Sequence, residues 1–408
     1  MNYLDDDRWL RYRERHEHWL IGMMSGTSLD GIDAALVKIT SNEEKQIEEV
    51  ALVEFLYLPY SDELRRRLND LCSPETARLD QLVEAHYGVA EWYAYSVHQL
   101  LEKANFKPEQ IDAICCHGQT IWHAPVDQAF PGPEGPLPVK STLQIGEMAV
   151  LAERTGIPVI GNFRARDMAA GGEGAPMVPF ADRILFGEAG KGRIMQNIGG
   201  IGNCTFIPAG SSADGIFAFD TGPGNMIMDD LVMMHTLGAQ RYDRGGEIAS
   251  QGKVDEAMLQ QYLSDPYYGR KPPKSTGREV YGTFFTEKFL EKGKKRGLNF
   301  EDILATATAL TAHTITKAYK DFILPHHEVG EVIVSGGGAH NLTLMKMIQE
   351  QLPESVSLKT AADYGVPDDA KEAMAFAILG HETMMGRPSN VPSVTGAGRA
   401  VRLGQVCW

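Results

Sequence analysis

The chain has 408 residues, 43% of them hydrophobic and 23% charged, which excludes a chain disordered throughout and leaves room for two domains. Lys and Arg number 39 against 54 Asp and Glu, and the formal charge of −15 disfavours a nucleic-acid binder that works by phosphate neutralisation. Five cysteines without a CxxC pair argue against a disulfide scaffold or a structural zinc site, and no apolar run reaches the ~18 residues of a transmembrane helix.

Residues 1–18 are charged throughout and predict a polar extension, helix or tail, lacking the apolar stretch of a secretory signal. Reduced thiols and a cytoplasmic setting are expected. His16 and His18 read as a solvated surface pair rather than a metal grip. Trp19–Met24 is an apolar run expected as a buried strand. It ends in Ser25-Gly26-Thr27-Ser28-Leu29-Asp30-Gly31, after which Ile32–Ile39 resumes an extended pattern, so the segment predicts a β-hairpin. Val50–Pro59 supplies a third strand. Helical spacing follows at Ser61–Cys72 and Thr76–Ala104. Ile111–Cys116 is a short strand that ends in His117-Gly118-Gln119-Thr120. Ala124–Lys140 holds Pro125, Pro131, Pro133, Pro136 and Pro138 and predicts a loop, a mobile lid. Gly146–Arg154 reads as a helix, and Ile157–Ile160 as a strand running into Gly161–Asp167.

The opening pattern then recurs. Arg193–Ile198 and Cys204–Ile207 flank the Gly-rich turn Gly199-Gly200-Ile201-Gly202-Asn203, and Gly215–Phe219 is a third strand ending in Asp220-Thr221-Gly222-Pro223-Gly224-Asn225. Glu301–Phe322 is helical, Val332–Val334 is a strand before Ser335-Gly336-Gly337-Gly338, and Asp368–Met385 is the last helix. A βββ unit with helices and further strands thus occurs twice. That order predicts an α/β protein of two lobes with a central cleft. The expected division is an extension over 1–18, a first lobe over 19–190 and a second over 191–408, the last helix returning to the first lobe.

The Gly-rich turns carry most of the chemical signal. Glycine lets backbone N–H groups approach a ligand closely, which suits a phosphate cradle, and in α/β proteins ligands collect at strand ends. Three such turns sit at predicted strand ends, and a fourth, Asp220–Asn225, adds a carboxylate. No GxxxxGK[ST] occurs, and no GxGxxG follows a strand into a helix, so neither a Walker-type loop nor a dinucleotide fold is indicated.

Together these residues closely resemble one family. Met24–Gly31, Cys116–Thr120, Gly171-Gly-Glu-Gly-Ala-Pro176, Asn197–Gly200, Phe219–Asn225, Lys274-Ser-Thr-Gly-Arg-Glu279 and Pro392-Ser-Val-Thr-Gly-Ala397 are similar to the motifs of the anhydro-N-acetylmuramic acid kinases, in order, from about Ile21 to the C-terminus. The resemblance implies a two-lobed actin-like ATPase (ribonuclease H-like) fold with duplicated βββαβα domains. It implies a kinase that uses ATP and Mg²⁺ to open 1,6-anhydro-N-acetylmuramic acid with water and phosphorylate O6. Partners are then the sugar and ATP, with no nucleic acid and no membrane, and a homodimer is expected. Rival readings are an actin-like ATPase scaffold and a kinase for another amino sugar.

By the same resemblance, Gly26, Thr27, Ser28, Leu29, Asp30, Gly31, Ile32 and Asp33 form the first phosphate hairpin. Asn197, Gly199, Gly200 and Asn203 form the second. Gly222, Gly224 and Asn225 also face the nucleotide, and Gly336, Gly337 and Gly338 form the adenosine motif. Many relatives in the superfamily carry a metal-binding Asp where Met24 stands, so Asp30 or Asp33 is the candidate substitute and the metal ligands stay open. Asp220 is implied as the general base, the alternative being a metal ligand only, and Glu372 is the second catalytic candidate. Arg164, Arg166 or Arg278 suits the lactyl carboxylate of the sugar. Gln119 and Gln144 suit its hydroxyls or acetamido group. His117 and His123 read as one polar lining residue and one core residue.

Overall fold

The computed structural model describes residues 7–210 and 215–408. Its strands are β1 (Glu17–Ser25), β2 (Gly31–Ser41), β3 (Ile47–Pro59), β4 (Ala113–Gly132), β5 (Gly135–Ile145), β6 (Val159–Gly161), β7 (Gly192–Ile198), β8 (Ile201–Ile207), β9 (Phe217–Pro223), β10 (Val329–Ser335), β11 (Ser357–Thr360) and β12 (Gln405–Cys407). Its helices are α1 (Asp7–Glu14), α2 (Asp62–Leu71), α3 (Leu79–Ala104), α4 (Met148–Thr155), α5 (Phe163–Ala169), α6 (Val178–Phe186), α7 (Met226–His235), α8 (Glu256–Leu263), α9 (Pro266–Gly269), α10 (Arg278–Tyr281), α11 (Thr283–Lys295), α12 (Phe300–Phe322), α13 (Leu342–Gln349), α14 (Asp368–Met385) and α15 (Pro392–Thr395). One compact unit holds the described chain up to Leu185 together with Gly365–Trp408, and the other holds Phe186–Tyr364. The expected boundary at Lys191 therefore falls inside the second unit, and the whole segment 365–408 belongs with the first.

In the first unit the strand order is β12-β6-β4-β1-β2-β3, with β5 paired to β4. β1 is central, antiparallel to β2 and parallel to β4. Its near-continuous apolar run suits a strand covered on both faces. Ile21 and Met23 join a core built with α3, while Gly22, on the opposite face, lies under α14. A Cβ at Gly22 would fall 1.8 Å from the Ala373 carbonyl oxygen, so glycine is what allows the helix to lie this close to the strand. α14 is buried almost all round, as a helix packed on a sheet inside an α/β unit should be.

Two local readings change. The segment Ala124–Lys140 is not a loop: β4 and β5 pair antiparallel from Gln119–Ile145 out to Gly132–Gly135. Its prolines lie in a two-stranded arm, where each strand has one unpaired edge and a missing N–H costs no ladder bond. His18 is no surface residue. It is fully buried on β1, its ring 4.0 Å from Tyr12 of α1 and 4.9 Å from His381 of α14. Residues 7–14 of the expected extension thus form a helix packed on α14, and residues 1–6 lie outside the described residues.

The second unit has the order β11-β10-β7-β8-β9. β7, β8 and β9 form an antiparallel meander, and β10 and β11 continue the sheet in parallel beyond β7. This matches β6-β4-β1-β2-β3 strand for strand. The core is built on α12, whose side chains are buried nearly all round and which packs against β9, α7, α8 and α13. Its buried threonines return their hydroxyls to the helix: Thr306, Thr308 and Thr316 donate to the carbonyls four residues earlier. Thr311 instead donates to the Gly224 carbonyl at 2.9 Å, tying the helix to the Asp220–Asn225 turn.

Candidate active site

In the first unit the site is built on the β1–β2 hairpin. Thr27, Ser28 and Asp30 are exposed at its tip, and the Ser28 hydroxyl donates to Asp30 at 2.6 Å. Leu29 adopts φ of 55°, uncommon for a leucine, and is 7% exposed within the core that also contains Ile32. Burial of the leucine offsets that backbone cost, and the polar tip is held on a fixed base. Leu29 and Ile32 therefore serve the hairpin as anchors, and the hydroxyls and exposed backbone are what remain for a ligand. Gln119 also takes another role. It is fully buried, donates to the Gly26 and Thr120 carbonyls at 3.0 and 3.3 Å, and accepts from the Tyr60 hydroxyl at 3.3 Å. Its amide braces the hairpin and is spent before any sugar arrives.

Asp33 lies directly across the ladder from Met24. Cross-strand partners project on the same face, so its carboxylate occupies the neighbourhood that an acid at position 24 would have filled. Burial, helped by Asp30, Glu372 and Asp369, pushes the Asp33 carboxyl up to about 7. That concentration of negative charge suits a cation held by one or two carboxylates plus phosphate oxygens and water. Among the described residues no group of three or more His, Cys, Asp or Glu could hold a metal without such help.

Arg164 is oriented by a neutral histidine. Burial above all, with Arg164 beside it, pushes the His117 imidazole down to about 3. With His117 Nδ1 2.7 Å from the Gly118 carbonyl, Nδ1 carries the proton and Nε2 accepts from Arg164 Nε at 2.9 Å. Arg164 Nη1 also donates to the Gly174 carbonyl at 3.0 Å. Arg166, two residues further along α5, is exposed on another face, as is Arg278 at the start of α10. Gln144 is half-buried and donates to Thr142 at 2.8 Å and Thr120 at 3.3 Å, and the His123 ring is 3.1 Å from the Thr142 hydroxyl. Glu372 is solvent-exposed on α14; desolvation by the surrounding protein still raises its carboxyl, with Lys371 and Arg164 pulling the other way.

The second unit brings its turns together at one end of the sheet. β7, β9 and β10 run in the same direction, and their C-terminal ends carry Asn197–Asn203, Asp220–Asn225 and Ser335–Gly338. The register sets Ser335, Asn197, Asn203 and Asp220 in a row across four strands. Gly224 and Asn225 donate their N–H groups to the Gly200 and Gly199 carbonyls at 2.9 and 2.7 Å, and the Asn225 side chain donates to Ile198 at 3.2 Å. A Cβ at Gly224 would lie 2.2 Å from the Gly199 oxygen, and one at Gly338 2.3 Å from Ile198. The glycines here permit the turns to pack on each other.

Asp220 is half-buried at the end of this row. Its Oδ2 accepts from the Thr276 backbone N–H at 2.9 Å, its own N–H donates to Lys274 at 3.1 Å, and its carbonyl accepts from the Tyr267 hydroxyl at 2.9 Å. Burial raises the Asp220 carboxyl and Glu279 adds to that, while the Thr276 hydrogen bond and Lys274 lower it. One carboxylate oxygen is thus fixed, which is the arrangement a base needs.

Sequence reading missed several contributors. Tyr267, on α9, and Thr276, in the irregular segment that follows it, hold Asp220, a role that the Lys274–Glu279 motif did not reveal. Asp167, fully buried, accepts from the Gly174 N–H at 2.9 Å and from Asn390 and Thr395 at 2.8 Å each. It links the Gly171–Pro176 segment to the Pro392–Ala397 segment, two motifs that are far apart in sequence.

Two sheets of the same strand order, with Gly-rich turns and carboxylates at strand ends, define an α/β protein built on a duplicated unit. The family model for anhydro-N-acetylmuramic acid kinase matches residues 18–408. An anhydro-N-acetylmuramic acid kinase of Caldanaerobacter subterraneus subsp. tengcongensis is 44% identical over 403 residues, covering 98% of this chain and 99% of that protein. One of Clostridioides difficile is 44% identical over 387 residues, covering 95% and 97%. Among solved structures, component A of the (R)-2-hydroxyglutaryl-CoA dehydratase of Acidaminococcus fermentans is similar at 13% identity and a TM-score of 0.44, over 90% of this chain and 99% of that one. The chain belongs to the anhydro-N-acetylmuramic acid kinase family.

Proposed function

We propose that the protein is an ATP-dependent sugar kinase that opens 1,6-anhydro-N-acetylmuramic acid with water and phosphorylates O6, giving N-acetylmuramic acid 6-phosphate and ADP in peptidoglycan recycling. Family membership over residues 18–408 supports the substrate. The observation that carries the chemistry is the Asp220 carboxylate, half-buried, fixed through one oxygen and set in the row of residues at one end of the second sheet.

Asp220 takes a proton from water as the water oxygen bonds to C1 of the sugar. The C1–O6 bond breaks and its electron pair goes to O6. O6 then attacks the γ-phosphorus, and the bond to the β,γ-bridging oxygen breaks with its pair leaving on ADP. Asp220 returns its proton to solvent. Arg164, already aimed by His117 and Gly174, pairs with the lactyl carboxylate, and Gln144 is the polar side chain for the acetamido group. Thr27, Ser28 and the hairpin backbone receive phosphate oxygens. Asp33, with Asp30, is the carboxylate set for Mg²⁺, which when bound neutralises phosphate charge. The setting is the cytoplasm, where ATP is available, and the assembly is a homodimer, which sedimentation equilibrium would show as twice the chain mass.

The test is turnover of the anhydro sugar with Mg·ATP in ¹⁸O-labelled water, quenched rapidly and read by mass spectrometry. The expected product carries one ¹⁸O at the anomeric position and phosphate on O6. Phosphorylation of glucose but not of the anhydro sugar, or an unlabelled product, would overturn the proposal. Asp220→Asn should stay inactive at raised Mg²⁺, whereas a residue that only held the metal would be rescued.

A further inference from the structure

Lys274 is a buried ammonium with an unusual surrounding. It is 6% exposed, in the irregular segment between α9 and α10. Its Nζ lies 4.8 Å from the Tyr267 ring centre, 4.9 Å from Phe322 and 5.7 Å from Phe219, on three different elements. It donates to the Tyr267 and Tyr268 carbonyls at 3.3 and 3.2 Å. Cation–π contacts and carbonyl dipoles receive the charge at close range; burial opposes it most, Cys204 and Asp321 favour it, and Arg270 and Lys317 oppose it. A methionine would fill such an apolar cage without the desolvation cost, so the charge itself requires an explanation.

The explanation is in what the cage holds. Phe219 immediately precedes Asp220. Residues 267–276 form a strap that touches Asp220 at three atoms: the Tyr267 hydroxyl on its carbonyl, the Lys274 carbonyl on its N–H, and the Thr276 N–H on its carboxylate. Lys274 closes this strap on itself, because its ammonium bonds the carbonyls of Tyr267 and Tyr268, at the strap's beginning, from near its end.

We propose that Lys274 is a positioning residue, whose caged ammonium closes the 267–276 strap and so fixes Asp220 for proton abstraction. The proposal rests on Asp220 being the general base. Lys274 touches neither reactant and acts through Thr276 and the Asp220 backbone. Its positive charge also favours the ionised carboxylate, against the burial that opposes it.

The test compares Lys274→Met, Lys274→Arg, Phe322→Leu and Asp220→Asn with the wild type, over a pH series of kcat and KM. A base displaced by a fraction of an ångström to an ångström loses about 10- to 100-fold in rate. Lys274→Met is therefore expected to lower kcat by about that factor with KM for ATP changed less than about threefold. The acid limb of its kcat profile should move to higher pH, because Asp220 must lose its proton to act. Lys274→Arg, which keeps the charge, should recover part of the rate and bring the limb back toward its wild-type position. Phe322→Leu, which opens one wall of the cage, should shift the limb in the same direction by less. A folded Lys274→Met with unchanged kcat and unchanged acid limb would overturn the proposal. If that variant does not fold, a folded Phe322→Leu with unchanged kcat and an unmoved acid limb overturns it. An active Asp220→Asn would instead defeat the underlying reading of the base, a result separable from any of these.

Discussion

The two units share a strand order and differ in what their first hairpin offers. In the first, the β1–β2 tip is open: Thr27 and Ser28 are exposed, and a Cβ added at Gly26 would meet nothing closer than 3.5 Å. In the second, the β7–β8 turn is stitched to the turns after β9 and β10, and Cβ atoms at Gly224 or Gly338 would collide with it. The same local motif is therefore free glycine in one unit and packed glycine in the other. Duplicated topology fixes where a ligand site falls. What the site does depends on which groups the neighbouring turns present: exposed hydroxyls and clustered carboxylates in the first unit, a single fixed carboxylate in the second.

The largest break in that comparison is at the fixed carboxylate. A positioned general base contributes about 10²–10⁴-fold, so Asp220→Asn should lose at least that in kcat. Asparagine keeps the size of the side chain and its acceptor for the Thr276 N–H, so the melting temperature should change little. A variant of Asp220→Asn that unfolds under assay conditions would remove the catalytic meaning of the loss.

Paired glycine substitutions sharpen the contrast between open and packed turns. At Gly224 the atoms 2.2–3.1 Å from an added Cβ all belong to the backbone of residues 199–201, which cannot rotate away. Gly224→Ala is expected to cost about 1–3 kcal/mol and to raise KM for ATP. Gly26→Ala should stay within about 0.5 kcal/mol of the wild type. Equal losses in the two variants, by chemical denaturation, would contradict the distinction.

Clustered charge in the first unit makes a pH prediction. The Asp33 carboxyl, at about 7 in the folded protein against an ordinary 3.8, keeps its proton where the unfolded chain has released it. Folding thus binds a proton between about pH 4 and pH 7, and Asp33's contribution to stability is lost as pH rises through that window. Asp33→Asn should flatten the fall in melting temperature of the nucleotide-free protein over this range. A wild-type slope equal to that of the variant would show that the carboxyl is not raised.

The β1–β2 hairpin, the turn after β10 and the limits of α14 were legible because each follows from local composition, whereas β4 runs on past Cys116, β8 begins at Ile201 and β9 takes in Asp220–Pro223. The β4–β5 arm was not, since five prolines argue for a loop unless the strands are known to have free edges. The task of Gln119 was not legible either: a glutamine after His-Gly has the same sequence whether its amide faces a sugar or the Gly26 carbonyl. Asp33 could be chosen over Asp30 only from the ladder register that sets it across from Met24. Lys274 and Thr276 are more than fifty residues from Asp220, in a segment without periodicity, so their motif marked them without revealing what they touch.

The smallest effect concerns the bond from α12 to the packed turn. Thr311 is fully buried, and its hydroxyl donates to Gly224 rather than to its own helix, unlike Thr306, Thr308 and Thr316. Valine has nearly the same shape, so Thr311→Val removes the donor and leaves the Gly224 carbonyl short of a partner, at a cost of about 1 kcal/mol. Thr308→Val removes a bond back to the helix, whose carbonyl already accepts an N–H within the helix, and a weak one to the Met228 sulfur at 3.3 Å, and should cost less. If the packed turn depends on the core helix for its position, Thr311→Val will also lower kcat by a few-fold while Thr308→Val will not. Indistinguishable kinetics in the two variants would mean that the second unit's turns hold each other in place without help from α12.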